Sequence, residues 1–237
     1  MKQELDDLLC NRYPGIFRER HADMRETCMN WGFSCNDGWF ALIDVLCREI
    51  ERHGQSRGLD VVAVQVKEKL GGLRFYVRGA DAYVNGLIWM ASALSEHICE
   101  ECGAPGRLSN DGWLRTSCIE HGGCAQSHEE PWRSVRIVFG PDAANVAPGG
   151  ARPHRFTIPP LASHGWRHLA QALEEVIDND IARNGLLPVV LEGVTESAGL
   201  AFRWHGGDDL GRTAAFFRMV EALSVRIDPV SGRPHQT

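Results

Sequence analysis

No stretch of this chain approaches the roughly 20 consecutive apolar residues that cross a bilayer as a helix. Met1-Lys2-Gln3-Glu4 does not begin a secretory leader. Both absences point to a cytoplasmic protein with no membrane partner, whose thiols stay reduced. Positive charge is scarce: 25 Lys and Arg face 31 Asp and Glu, a formal charge of −6. The deficit sits in the first half, where residues 1–130 carry 14 cations against 20 anions and residues 131–237 carry 11 of each. The basic footprint that drives duplex binding is therefore lacking, and the acidic balance disfavours nucleic acid as a partner. No low-complexity run and no internal repeat stands out, which leaves a globular chain of 237 residues with room for two modest domains.

Catalytic motifs are missing as well. There is no Gly-x-Ser-x-Gly elbow, no P-loop and no His-Glu-x-x-His. A deaminase needs His-x-Glu ahead of Pro-Cys-x-x-Cys, and Glu96-His97 before Cys99 has the wrong order and spacing. A His-Asn-His nuclease needs a histidine beside a strand, and none lies between Cys102 and Cys118. His128-Glu129-Glu130 and His205-Gly206-Gly207-Asp208-Asp209 are polar clusters without a partner motif. Asp208 reads as a helix cap, and His164 and His168, on one helix face, read as solvent-exposed.

What the sequence does hold is a metal pattern. Cys99-x2-Cys102, fifteen intervening residues, then Cys118-x2-His121 is the spacing of two knuckles presenting four soft ligands to one tetrahedral ion. Gly103 follows the second cysteine, where the chain must turn under the metal. Trp113–Thr116 reads as a strand returning the chain to the second knuckle. Zn2+ is the expected ion, and with four protein ligands its role is structural. Cys124, three residues past His121, is an alternative fourth ligand. Cys47 falls in an apolar helical pattern and reads as a core thiol. Cys28 and Cys35, flanking Trp31-Gly32-Phe33, leave a second metal site undecided.

The coarse organisation is α+β. An N-terminal helix–hairpin–helix segment carries the zinc ribbon or knuckle over residues 98–124, and a smaller α+β unit follows. This divides the chain into residues 1–130 and 131–237. Helices are expected over residues 1–10, from Gly38 to about His53 with Asp37 as N-cap and Gly54 as stop, from Asp81 or Ala82 toward Cys99, over His164–Arg183, and after Asp208. Val135–Phe139, Leu187–Val194 and Leu200–Trp204 read as strands. Between Asp60 and Gly79 the pattern is a β-hairpin turning on Gly71-Gly72. That turn pairs Lys69 with Arg74, Glu68 with Phe75 and Lys67 with Tyr76. One face then holds Val64, Val66, Leu70, Leu73, Phe75 and Val77. The other holds Gln65, Lys67, Lys69, Arg74, Tyr76 and Arg78, a basic stripe that makes Lys67, Lys69, Arg74, Tyr76 and Arg78 the candidate binding residues. Glu68 falls on the apolar face, where a carboxylate needs a partner.

Three segments carry a resemblance: Gly38-Trp39-Phe40, then Val66-Lys67-Glu68-Lys69-Leu70-Gly71-Gly72-Leu73-Arg74-Phe75-Tyr76, then Cys99-Glu100-Glu101-Cys102-Gly103. Together they resemble a poorly characterised family of bacterial and phage proteins, over about residues 12–122. The resemblance implies the zinc knuckle and a bacterial or phage origin, and brings no activity with it. The reading from sequence is a zinc-stabilised interaction protein that binds a protein partner, in phage–host conflict or toxin neutralisation. A negative surface suits a partner that itself binds nucleic acid. A nucleic-acid-binding regulator using the zinc element and the basic hairpin face is the alternative, and a metal-dependent hydrolase or nuclease the second. No catalytic residue is assigned.

Overall fold

The computed structural model describes residues 1–25, 27–109, 113–123, 156–184 and 187–235. The expected Val135–Phe139 strand, His128-Glu129-Glu130 and Cys124 lie outside them. The chain is α+β, with α1 (Gln3–Arg12), α2 (Phe40–Arg57), β1 (Val62–Lys69), β2 (Gly72–Arg78), α3 (Ala82–Ser95), β3 (Arg107–Ser109), β4 (Arg115–Ser117), α4 (Arg167–Asn184), β5 (Leu187–Glu196), β6 (Leu200–Gly207) and α5 (Arg212–Ser224). The strands form three antiparallel pairs, β1–β2, β3–β4 and β5–β6.

The second half repeats the first, which corrects the expectation of no repeat. In each half a short 3-10 turn ending at Trp39 or Trp166 leads into a long helix, a hairpin, a second helix and a tight turn; the first half adds α1 before this unit and the β3–β4 pair after it. That turn is pinned by the bridge Ile98↔Pro105 in one half and Ile227↔Pro234 in the other. The same hydrogen bonds recur at equivalent positions. The Trp39 indole donates to Ile98 O at 2.9 Å and the Trp166 indole to Ile227 O at 3.0 Å. Gly38 N donates to Glu100 O at 2.7 Å, and Gly165 N to Pro229 O at 2.8 Å. Leu73 N reaches Ser95 Oγ at 2.8 Å, and Leu200 N reaches Ser224 Oγ at 2.7 Å. In sequence the repeat survives as Gly-Trp, as Gly-Leu-x-Phe at 72–75 and 199–202, and as Met-x-x-Ala-Leu-Ser-x-x-Ile at 90–98 and 219–227.

The halves face each other reciprocally. Helix α3 packs on α5, α2 on α5 and α3 on α4. On the seam, the equivalent residues Gly86 and Ala215 meet: a Cβ on Gly86 would stand 2.9 Å from that of Ala215. Small residues there let the two helix backbones approach closely. The closing turns also meet reciprocally, Gly103 against Pro234 and Gly232 against Pro105. This is the arrangement of a two-fold dimer, where a patch meets its own equivalent, built within one chain. A single buried core runs from Leu9 to Ile227 and draws on both halves. Buried carboxylates tie the halves at its edge. Glu49 accepts two hydrogen bonds from Arg218, both 2.8 Å, and Asp44 accepts from Arg226 at 2.8 Å.

Several local expectations are corrected. The hairpin turns on Leu70-Gly71, both with positive φ (56° and 77°), rather than on Gly71-Gly72. Lys69 therefore pairs with Gly72, Glu68 with Leu73, Lys67 with Arg74 and Val66 with Phe75. From Gln65 to the turn the two faces survive, because each residue's partner moves by two positions, an even step; a bulge between Ala63 and Gln65 then puts Ala63, not Val64, in the core, opposite Val77. Glu68 finds its partner in the turn, where its carboxylate accepts from Gly71 N at 2.6 Å. Asp37 does not cap α2; its carboxylate takes Lys2 N at 2.8 Å and Lys2 Nζ at 3.2 Å. Helix α2 passes through Gly54 and stops at Gly58, which adopts the left-handed conformation. Asp81 caps α3 through Val84 N at 2.8 Å, as expected. Asp208 is not the N-cap of α5, a position held by Gly211, but its carboxylate reaches back over the first turn to accept from Thr213 N at 2.9 Å. His168 is not exposed. Its ring is buried and neither nitrogen has a hydrogen-bond partner, because α4 turns that side toward the core shared with α3. Its equivalent in the first half is Ala41.

Candidate metal centre

Helix α3 ends at Ser95, and the chain then turns through Cys99–Gly103. Cys99 N donates to Ala104 O at 2.8 Å and Gly103 N to Cys99 O at 2.9 Å. These bonds form the first knuckle, and Gly103 has φ +76° under it. The short ribbon β3–β4 carries the chain back, pairing Arg107 with Ser117 and Ser109 with Arg115. A 3-10 turn over Ile119–His121 forms the second knuckle, with His121 N and Gly123 N donating to Cys118 O at 3.0 and 2.8 Å. The expected strand at Trp113–Thr116 is thus displaced to Arg115–Ser117.

The four predicted ligands come together. Their donor atoms all lie within 4.8 Å of one another. Cys102 Sγ and Cys118 Sγ are 3.7 Å apart, Cys99 Sγ and His121 Nδ1 3.6 Å, and Cys118 Sγ and His121 Nδ1 3.2 Å. A tetrahedral ion with metal–sulfur bonds of about 2.3 Å and a metal–nitrogen bond of about 2.0 Å requires edges of about 3.8 Å between sulfurs and 3.6 Å from sulfur to nitrogen. These three edges are near that size, and all the donor atoms stay within 4.8 Å of one another. No disulfide joins these thiols. Burial works against ionisation of Cys118, but hydrogen bonds from the His121 ring and backbone outweigh it and bring the thiol down to about 7. Burial pushes Cys102 up to about 12. A cation at the centre favours the thiolate at both.

The centre is clamped on three sides. Gly38 lies so close that a Cβ there would stand 2.2 Å from Cys99 O and 2.5 Å from Gly103 N. Thr116 Oγ1 donates to Gly71 O at 2.6 Å, tying the ribbon to the hairpin turn. Arg233 of the second half pairs with Glu120 at 2.6 Å. In that half, Asp228 and Ser231 stand where Cys99 and Cys102 stand in the first. Asp228 Oδ1 accepts from Val230 N, Ser231 N and Ser231 Oγ at 3.1, 2.7 and 2.8 Å. A side-chain acceptor there closes the turn at the place where the first half carries the Cys3His cluster. Sequence reasoning missed this second turn; its only trace is Ile227 followed by Gly232 and Pro234.

The basic stripe is largely engaged within the molecule. The Lys67 ammonium sits 5.8 Å from the Tyr76 ring centroid. Arg74 donates to Ser92 Oγ at 2.9 Å, and Arg78 pairs with Glu19. Lys69, Tyr76 and Arg78 are exposed, whereas Lys67 and Arg74 are half-buried. Cys28 is exposed and Cys35 buried, with burial pushing the Cys35 thiol up to about 12. Among the described residues, Cys99, Cys102, Cys118 and His121 make the one cluster that fits an ion. His205 pairs with Glu192 across β5 and β6 at 3.1 Å, apart from that cluster. Among the described residues, no helix is long and apolar enough to cross a membrane. Comparison with protein-family models, curated proteins and solved structures finds no match.

Proposed function

We propose that this chain is a zinc-stabilised, cytoplasmic interaction protein that acts by binding a protein partner. The observation that carries this reading is the closed Cys3His set. All four positions around the ion are supplied by the protein, so none is left for a substrate or an activated water, and such a centre stabilises a surface rather than performing chemistry. The soft ligands favour zinc over hard cations. The ion pair of Arg78 with Glu19 and the acidic balance of the first half weaken the nucleic-acid alternative, since a paired cation releases fewer counterions on binding phosphate. The acidic first half suits a basic partner, one that itself handles nucleic acid, as in phage–host conflict or toxin neutralisation.

Metal analysis of the purified protein should give about one zinc per chain, and Cys102→Ser should release it and loosen residues 98–123. Captured partners should rebind when reconstituted from purified components, in a salt-sensitive way and only to the zinc-loaded protein. Salt-sensitive micromolar affinity for DNA or RNA instead, lost when Lys67, Lys69, Arg74 and Arg78 are changed to Gln, would move the reading to the regulator.

A further inference from the structure

The repeat allows each surface of the first half to be compared with its equivalent in the second. At one place the two differ in kind. Beside β2 lies an open groove of about 370 Å3, lined in part by Arg74, Phe75, Val77, Ile88, Trp89 and Ser92. The equivalent place in the second half is filled. Trp204 stands at the position of Val77, Phe217 at that of Ile88 and Glu221 at that of Ser92. The Trp204 and Phe217 rings stack with centroids 4.5 Å apart and planes 11° from parallel. The Glu221 carboxylate accepts from the Phe202 N–H at 2.9 Å.

The first half lacks both components. Leu73 N donates to Ser95 Oγ, so it points away from β1. Amides alternate along a strand, so the Phe75 N–H points the same way, into the groove. Among the described residues no acceptor meets it, because Ser92 is shorter than Glu221 and its hydroxyl is taken by Arg74. Three substitutions toward smaller side chains thus leave a slot with the outline of a planar ring and a carboxylate. Arg74 replaces Ala201 at its edge and adds a cation there, with the Glu96 carboxylate near it, whereas the second half carries its cations at Arg203 and Arg218, the equivalents of Tyr76 and Trp89. Trp89, held edge-on to Phe216 at 5.5 Å, supplies an aromatic wall. Few convergent polar groups in an apolar cleft of this size are the ordinary makings of a small-ligand site.

We propose that this groove binds a small aromatic carboxylate, its carboxylate on the Phe75 N–H and Arg74 and its ring between Val77, Ile88 and Trp89. The site is remote in chemistry from the metal cluster and does not depend on the proposed partner binding. The test uses the full zinc-loaded chain with indole-3-acetate as probe and neutral indole-3-acetamide as control. Calorimetry should show saturable binding, and the Phe75 amide should be among the shifted resonances. The amide probe should bind at least about tenfold more weakly, the worth of a hydrogen bond to a charged group. Transplanting the second half's side chains, Val77→Trp with Ser92→Glu, should abolish binding while keeping or raising the melting temperature. Ile88→Phe, a single change, and Arg74→Gln should each weaken it about tenfold or more in a folded protein. The proposal is overturned if the probe gives no saturable shift at Phe75 up to about 10 mM, beyond the range of weak specific binding. It is overturned equally if Ile88→Phe and Arg74→Gln bind it as the wild type does.

Discussion

The ring of His168 sits in the core with only 7% of its surface exposed and no partner for either nitrogen. Burial, with the charge of nearby His97 as the lesser cause, holds its pKa down to about 3 from the ordinary 6.5. Between those two values the unfolded chain binds a proton that the folded chain refuses. Stability therefore rises with pH through this window and is flat, for this group, above it. A shift of this size is worth a few kcal/mol at its lower end. Asp44 and Glu49 act lower down. Burial works to raise their pKa, but hydrogen bonds from Arg12 and Tyr13, and from Arg218, overcome it and leave both below the usual range. Their contribution is complete above about pH 4 and lost below it. His168→Leu should raise stability at neutral pH by about 1–2 kcal/mol, since two unsatisfied nitrogens leave the core. It should also flatten the decline between pH 6 and about 4.5, with the carboxylate loss below that unchanged. Denaturant melts of both proteins across this range check it, and proton-coupled metal loss cancels in the difference. Parallel curves for the two proteins would refute the assignment.

At the scale of elements, backbone contacts around the turns carry the architecture. A Cβ on Gly71 would lie 2.0 Å from Leu108 Cδ1, and its φ of +77° disfavours any side chain. Gly71→Ala should cost about 2 kcal/mol or more by thermal melting and should loosen the ribbon that Thr116 fastens to this turn. Gly38 and Gly165 form a matched pair: a Cβ on Gly165 would stand 2.4 Å from Asp228 O, as one on Gly38 meets Cys99 O. Alanine at either should destabilise the fold by several kcal/mol. Only Gly38→Ala should lower the metal content, because only the first turn carries ligands; zinc loss from Gly165→Ala alone would contradict the assignment.

The legible parts of the sequence were those set by local chemistry. Cys-x2-Cys and Cys-x2-His mark a metal site because ligand spacing is a short-range property. The helix cores follow from apolar periodicity, and Asp81 from capping, whereas Asp208 lies upstream of the Gly211 cap of α5. The turn at Leu70-Gly71 was misplaced because Gly71-Gly72 looks the better two-residue turn, whereas clamping against β3 and β4 selects the other register. The repeat was illegible because its identities sit at buried anchors such as Trp39, Ser95 and Ile98, and the interval between equivalents lengthens before α5. Its metal ligands, the loudest signal of the first half, are replaced by Asp228 and Ser231 in the second. His168 was misread because helix periodicity alone does not reveal that both sides of α4 meet other elements.

On the scale of the molecule, the two halves are partners rather than neighbours. Helix α5 buries Phe216, Phe217 and Met219 in the common core, and α3 buries Leu87 and Met90 opposite them. Among the described residues, each half turns that face toward the helices of the other. The charges agree with this. Glu49 is 1% exposed and draws two of its hydrogen bonds from Arg218 of the other half, so that separation leaves it with Arg52 and Arg48 alone. The turn that carries the Cys3His cluster rests on Pro234 and its equivalent on Pro105, so each closing turn is also part of the other's support. A piece of the chain spanning residues 156–235 should therefore not be a folded monomer. It has two available outcomes. It remains unfolded, as expected for a small unit stripped of half its core, or it pairs with itself through α5, placing Ala215 on Ala215 where Gly86 now stands. Sedimentation at micromolar concentration with circular dichroism decides: an unfolded chain or a helical dimer agrees, and a compact helical monomer with a cooperative melt refutes the interdependence. Adding the separately expressed first half should recover the one-to-one complex and its single transition, because the reciprocal seam is more complete between unlike halves. There Gly86 permits a closer approach than Ala215 makes to its own copy, and Arg218 and Arg226 regain Glu49 and Asp44.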